Sequence, residues 1–441
     1  MPRATSSREF TKYVGLSVLA MVCVSIYILA DTWFISRALG TYGLTALNIS
    51  IAVFGIVNSF GLMVGIGGAT HYAIQKSKGV NADAVFAHAL AHGLFFSAIF
   101  VAAGVFLTPQ VARLLGAEGE VLPMAISYMR TILLFSPVLV ANNILVAFVR
   151  NDSNPKLAMA GMGTASIANI ILDYIFLFPM DLGMFGAALA TGLAFSLSLV
   201  IVSAHFLTRN NNLILRRCKI RIREMLTMDF LGSSALINEL AFAISLIAFN
   251  LVILGIEGNV GVAAYSVVAN IAVIVFAIFT GVAQGIQPLI SKGHGLGDRA
   301  LVNQTLKYAL ATVCAISLLV YGVLYFNANN IVSAFNSESD ATFAQLATHG
   351  LRVYFIGLLF AGVNFIASAF FSAIGSAKEA VVVSILRSCV IIIPLVVVLG
   401  SAFGIGGVWS AFIATEFAVA LVSAALLCVK FKSMKRLSKA P

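Results

Sequence analysis

Apolar stretches of about 20 residues follow one another along almost the whole of this 441-residue chain. Each is long enough to cross roughly 30 Å of hydrocarbon. Inside a bilayer every backbone N–H and C=O must be satisfied within the protein, which leaves α-helices or a closed barrel. The stretches lack the alternation and short turns of barrel strands, so the chain reads as an all-α polytopic membrane protein. Twelve transmembrane helices are expected, near 14–37, 44–74, 84–107, 121–147, 156–180, 184–208, 226–254, 260–290, 301–326, 343–374, 378–400 and 404–431. Three of them exceed what a crossing needs, leaving turns to tilt, bend or project into water. A mean hydropathy of +1.01 excludes a soluble globular protein.

The few charges orient the chain. Lys and Arg cluster in alternate connections: Arg3, Arg8 and Lys12; Lys76 and Lys78; Arg150 and Lys156; Arg209, Arg216, Arg217, Lys219, Arg221 and Arg223; Lys292 and Arg299; Lys378; and Lys430 to Lys439. The remaining connections hold Glu118, Glu120, Asp181, Glu257, Glu338 and Asp340, with Arg113 nearly alone among bases. The positive-inside rule then places both termini and the 209–225 segment in the cytoplasm. Attraction to anionic lipids accounts for the net charge of +10 without a nucleic-acid partner. Arg3, Arg8 and Lys12 precede an apolar run that is too long for a signal peptide and has no small-residue cleavage site before Asp31 and Trp33. The five cysteines (Cys23, Cys218, Cys314, Cys389, Cys428) are scattered, which supports neither a disulfide framework nor a zinc site.

Sliding the chain along itself by 218 to 222 residues brings its halves into partial register. Gly43–Leu44–Thr45–Ala46 falls on Gly261–Val262–Ala263–Ala264, and Gly65–Ile66–Gly67 falls on Gly285–Ile286–Gln287. Ala147–Phe148 meets Ala369–Phe370, and Gly183 with Gly186 meets Gly404 with Gly407. Six helices per half make the repeats parallel, related by an axis along the membrane normal. The expected organisation is two pseudo-symmetric six-helix bundles. Residues 1–208 form the first lobe, 209–225 a basic cytoplasmic linker, 226–431 the second lobe and 432–441 a basic tail. A cavity between the lobes would open to one face at a time.

Ionisable groups at bilayer depth are costly and usually serve a pathway. Asp31 and Asp173 each lie about 17 residues along an outward-running helix, and Tyr128 and Thr191 about 7 residues into inward-running ones, at roughly 1.5 Å per residue. All four reach a similar level in the outer half of the first lobe. Asn169 precedes Asp173 by four residues, on the same helical face. Oxygen groups at one level can hold a proton or a small hard cation such as Na+, and two close carboxylates tend to share one proton. The bland readings are that Asp31 and Asp173 sit at helix ends near Gly40 and Pro179, that Tyr128 is an interfacial aromatic, and that Thr191 bonds back to its own helix. The second half is not equivalent. Asn250 or Phe249 stands opposite Asp31, and Leu395 lies near the position opposite Asp173. That half has its own embedded groups, Glu239, Glu416 and Arg387, of which the arginine can pair with an acid. Asn270, Gln284 and Gln287 either line the same cavity or bond helix to helix.

His88 and His92 share a helical face, but no third ligand is apparent, so an ordinary pair is expected. Gly293–His294–Gly295–Leu296–Gly297 and Gly161–Met162–Gly163 lack the strand context of nucleotide loops. No Walker, HExxH or GxSxG sequence occurs, so neither ATP drive nor these hydrolytic chemistries is supported, and no enzyme is expected.

Several stretches resemble the multidrug and toxic compound extrusion (MATE) family. Asp31–Thr–Trp–Phe–Ile–Ser–Arg–Ala–Leu–Gly40 resembles its first-helix signature. Arg150–Asn–Asp–Ser–Asn–Pro155, Asn169–Ile–Ile–Leu–Asp173 and Gly183–Met–Phe–Gly–Ala–Ala–Leu–Ala–Thr191 resemble its central block. Gln284–Gly–Ile–Gln–Pro288 followed by His294–Gly–Leu–Gly–Asp298 resembles the matching block of the second lobe. The branch looks closest to bacterial DinF-like and MepA-like members. The resemblance implies a V-shaped carrier in a bacterial inner membrane, expelling amphipathic, often cationic compounds in exchange for H+ or Na+, with no other cofactor. It implies a first-lobe cation site at Asp31, Asn169, Asp173 and Thr191, with Tyr128 nearby, and a role for Glu239. Helix ten carries no acid beside which Glu239 could work, so a second-lobe cation site is less secure. Small organic compounds and membrane lipids are the expected partners, and a monomer the expected state. The alternative is a lipid-linked saccharide flippase on a related plan, which would need a strongly cationic cavity.

Overall fold

The computed structural model describes residues 7–80, 82–208, 211–213, 219, 221–335 and 340–437. Arg3, Arg209, Arg216, Arg217, Cys218, Glu338, Lys439 and much of the 209–225 linker lie outside the described residues. The described residues contain helices and no strand. In order these are α1 (Ser7–Ser77), α2 (Asp83–Phe106), α3 (Thr108–Leu114), α4 (Val121–Leu134), α5 (Ser136–Asn151), α6 (Pro155–Leu177), α7 (Gly183–Ser203), α8 (Ile222–Gly295), α9 (Arg299–Phe335), α10 (Ala341–Tyr354), α11 (Leu358–Ala373), α12 (Ala377–Ile385) and α13 (Ile392–Leu437). A π-helical turn, Leu386–Val390, joins the last two.

Helix α1 has 71 residues and would run about 105 Å if straight, some three times the hydrocarbon thickness. It turns at Gly40, where φ is 63° and ψ −152°. That backbone region is essentially closed to residues with a Cβ. Gly258 in α8 (63°, −153°) and Gly404 in α13 (62°, −147°) do the same. Dividing the chain at these glycines, and counting α4–α5 as one span bent by 51°, gives the twelve crossings expected. The hydropathy pattern predicts connecting segments around 38–43, 255–259 and 401–403. Helical geometry instead runs up to a single glycine on both sides, because one residue free of Cβ clashes is enough to redirect the chain.

The repeat is visible in the backbone. Gly40 and Gly258 are 218 positions apart, and Gly183 (φ 56°) and Gly404 (φ 62°) are 221 apart, within the offset found in the sequence. Two apolar cores follow, one per half, and each borrows from the other. Phe10, Tyr13 and Val14 at the start of α1 pack into the second-half core, and Met228 at the start of α8 packs into the first-half core. The lobes meet along two seams of α1 against α8. A Cβ on Gly67 would lie 1.9 Å from the Met228 carbonyl oxygen, and one on Gly232 the same distance from that of Met63. At the other seam a Cβ on Gly281 or Gly285 would lie 2.6 Å from the Cα of Val18 or Val14. These approaches lie about 25 residues from Gly40 and Gly258, roughly 37 Å along each helix. The lobes therefore close at the linker end and form a V.

Candidate functional site

Within the first lobe, α1, α4, α6 and α7 aim polar groups at one point. Asp31 is 8% exposed and Asp173 fully buried, which sets aside the reading that they sit at helix ends facing headgroups. Their carboxyl groups are electrostatic neighbours. Asn169 Nδ2 donates to Thr191 Oγ1 at 3.3 Å, and Thr191 Oγ1 donates to the Ala187 carbonyl on its own helix at 3.3 Å. The Tyr128 side chain reaches Thr191 from α4, buried rather than at the interface. Asp31 Oδ1, both oxygens of Asp173 and Asn169 Oδ1 are buried with no donor directed at them. Buried acceptors normally find donors, so a pool of four left over is a place where a cation or proton lowers the energy. Tyr27, which the sequence alone does not single out, joins this group. It is buried one helical turn before Asp31 on the same face, within electrostatic range of both aspartates. Its i, i+4 spacing was the available signal.

Glu239 on α8 differs from these acids. It is exposed to the space between the lobes, and Asn58 Nδ2 donates to its Oε1 at 3.0 Å. Asn143 Nδ2 donates in turn to Asn58 Oδ1 at 2.9 Å, so the acid ends a chain of side chains running across the seam. Asn270 is exposed on the second arm of α8. The other cavity candidates are placed otherwise. Gln284 Oε1 accepts from Arg150 Nη1 of α5 at 2.5 Å. Gln287 Nε2 donates to Thr70 Oγ1 at 2.6 Å and to the Ile66 carbonyl at 3.0 Å. Both glutamines are buried and bond lobe to lobe instead of lining a cavity, because their helix faces the seam. Glu416 is likewise withdrawn into the second lobe. Arg387 Nη2 donates to its Oε1 at 2.7 Å and Asn364 Nδ2 to its Oε2 at 2.7 Å, while the guanidinium stacks 4.1 Å from the Phe365 ring centroid. The π-helical turn carries Arg387 in this direction.

The stretch Arg150 to Pro155 builds a junction. The Asp152 carboxylate, buried at the loop between α5 and α6, accepts from Lys76 Nζ (2.7 Å), Tyr72 Oη (3.1 Å), His205 Nε2 (2.9 Å) and the Asn212 backbone N–H (2.8 Å). Burial raises its pKa, but Lys76, the Asn212 amide and His205 together hold it below the ordinary carboxylate range. Asn154 caps α6 by accepting from Leu157 N–H, and Pro155 occupies the first turn, where no donor is missed. His88 and His92 are not a metal pair. His88 bonds the Ala84 and Lys219 carbonyls, and His92 pairs with Asp229. Among the described residues no three His, Cys, Asp or Glu side chains come together as metal ligands.

Comparison with known proteins bears on all of this. The MatE family model matches residues 17–175 and 235–398, most of the chain. The chain belongs to the MatE family. The two matched blocks begin 218 residues apart, at the offset of the repeat, and take in Asp31, Asn169, Asp173 and Glu239. MatE relatives include the multidrug export protein MepA of Staphylococcus saprophyticus, 27% identical over 394 residues that cover 88% of this chain and 86% of that one. The multidrug export protein MepA of Staphylococcus aureus is 26% identical over 400 residues, 88% of this chain and 86% of its own length. Among solved structures, an outward-facing multidrug resistance MATE family transporter superposes with a TM-score of 0.91 at 23% identity, covering 97% of this chain and 96% of the other. A MOP superfamily transporter from Pyrococcus furiosus, described as having a binding pocket of reverse polarity, gives 0.88 at 21% identity, with coverages of 97% and 96%. The V-shaped, twelve-helix MatE fold is thus shared at both levels.

Proposed function

We propose that this MatE protein is a secondary active multidrug efflux antiporter, a carrier and not an enzyme. It exports amphipathic, often cationic compounds in exchange for H+ or Na+ across a bacterial cytoplasmic membrane, as a monomer with both termini inside. The observation that carries this reading is the pool of buried oxygens without donors at Asp31, Asp173 and Asn169. Two carboxylates, an amide oxygen and a hydroxyl form an all-oxygen set, which suits a proton or a hard cation and no soft metal. Neutralised, Asp31 and Asp173 tolerate each other in low dielectric; charged, they repel. The Asp31–Asp173 pair can thereby favour one conformation in each charge state, which is the differential affinity that coupling requires. Glu239, open to the cleft, offers a negative partner for a cationic compound among apolar and aromatic side chains.

The test is efflux of a fluorescent cationic dye from loaded cells or everted vesicles, driven in turn by a pH gradient and a Na+ gradient, with Asp31→Asn beside wild type. Gradient-driven efflux abolished by the substitution supports the antiporter and names its ion. No dye movement under either gradient, with folded protein in the membrane, favours the flippase. Against that alternative, Arg150 and Arg387 are each engaged by a side-chain partner, and Arg352 stacks on Tyr325.

A further inference from the structure

The seam that shuts the lobes at the linker end carries two imidazole–carboxylate pairs that the Asp31–Asp173 pair does not use. His71, on the second arm of α1, meets Glu224 in the first turn of α8, with Nε2 and Oε2 2.8 Å apart. Gln75, one turn along α1, lies 2.7 Å from the same ring nitrogen. His92 on α2 meets Asp229 on α8, with Nε2 2.9 Å from both carboxylate oxygens. Phe95 stacks parallel to its ring at 6.4 Å, and Phe96 lies 4.6 Å away. One second-lobe helix is therefore held at two points, about one and a half turns apart, by two different first-lobe helices.

Beside the Asp229 pair the backbones touch. Gly67 and Gly232 bring α1 and α8 so close that no side chain can be wedged between them. This part of the seam either closes as a unit or parts as a unit, and bistable packing of that kind amplifies small energy changes into large motions. The side chains of the four paired residues are between 10% and 28% exposed. A fully buried pair would be too costly to break in every cycle, and a fully exposed one would hold nothing. Each lobe has its own apolar core, so neither pair is needed to hold a lobe together.

We propose that His71–Glu224 and His92–Asp229 form a two-point latch of the transport cycle. These four positioning residues hold the linker side closed and must separate each time the carrier opens there, so their strength sets the fraction of molecules closed on that side. The proposal rests on the alternating-access reading above, and its test needs neither drug nor gradient.

The test uses the full-length protein, purified in detergent and reconstituted, with its five cysteines replaced and spin labels at Lys78 and Arg223, which are exposed beside the seam. Inter-label distances are read in wild type and in Glu224→Gln, Asp229→Asn, His71→Ala and His92→Ala. Each single variant is expected to shift the closed-to-open ratio about 3- to 5-fold toward the longer distance. The double variant His71→Ala/Glu224→Gln should shift it no further than either single one. The swapped pair His92→Asp/Asp229→His should recover the wild-type distribution. Glu224→Gln and Asp229→Asn are near-isosteric, so they keep the test valid should an alanine variant fold poorly. Unchanged distances in these two, or additive doubles with no recovery in the swap, overturn the latch. Loss of dye efflux in wild type, with the distance shifts intact, would overturn the antiporter reading alone.

Discussion

At Asp173 the protein holds a fully buried carboxylate to which no donor is directed. Such a group destabilises the fold, so its removal should cost transport and not stability. Asp173→Asn is expected to abolish gradient-driven efflux while the melting temperature stays level or rises, as read by thermal unfolding of purified protein. Asp152 is the opposite case, a carboxylate with five donors from four residues arranged around it. Asp152→Ala removes the buried acceptor shared by Lys76, Tyr72, His205 and Asn212 and should cost about 3 kcal/mol in denaturant unfolding. Its depressed pKa also has a pH signature. A carboxylate held below its unfolded value, near 3.9, contributes stability that is complete above that pH and lost as pH falls through the folded pKa. Below about pH 4 the wild-type melting temperature should therefore fall more steeply than that of Asp152→Asn.

Among the elements, the glycines that matter are those that other backbones approach. Gly67 and Gly15 both sit in α1, yet a methyl on Gly67 would strike the Met228 carbonyl oxygen, whereas one on Gly15 meets nothing within 4 Å. Gly67→Ala should hold the seam apart, lowering the closed fraction and the maximal efflux rate several-fold, while Gly15→Ala leaves both unchanged. Spin-label distances and dye efflux on the two variants check this. None of it is readable from helix propensity, since both positions look alike in a hydropathy window. The difference comes from which face of α1 meets α8.

Taken whole, the molecule is a duplicated fold whose halves have diverged in their buried polar chemistry. The first lobe holds buried acids to whose oxygens no donor is directed; the second holds Glu416, already satisfied by Arg387 and Asn364. Removing one partner of a buried ion pair leaves the other uncompensated. Glu416→Gln should therefore destabilise the protein by about 3 kcal/mol, whereas Asp173→Asn does not, and unfolding curves of the two variants side by side decide it.

Several features follow from the chain read alone. The crossings, the repeat offset and the shared level of Asp31, Asn169, Asp173 and Thr191 are all local or periodic. Hydrophobic length sets depth, and helical spacing sets which residues share a face. The tertiary structure decided partners. Asp152 reaches back to Lys76 and forward to Asn212, His92 reaches Asp229 from 137 positions away, and Gln284 and Gln287 turn to the seam instead of a cavity. Tyr27 joins the aspartates only once α1 is rotated against α6. Those choices depend on how each helix is rotated and how closely glycines let it approach its neighbour. Packing sets both, and a single strand of sequence does not encode them locally.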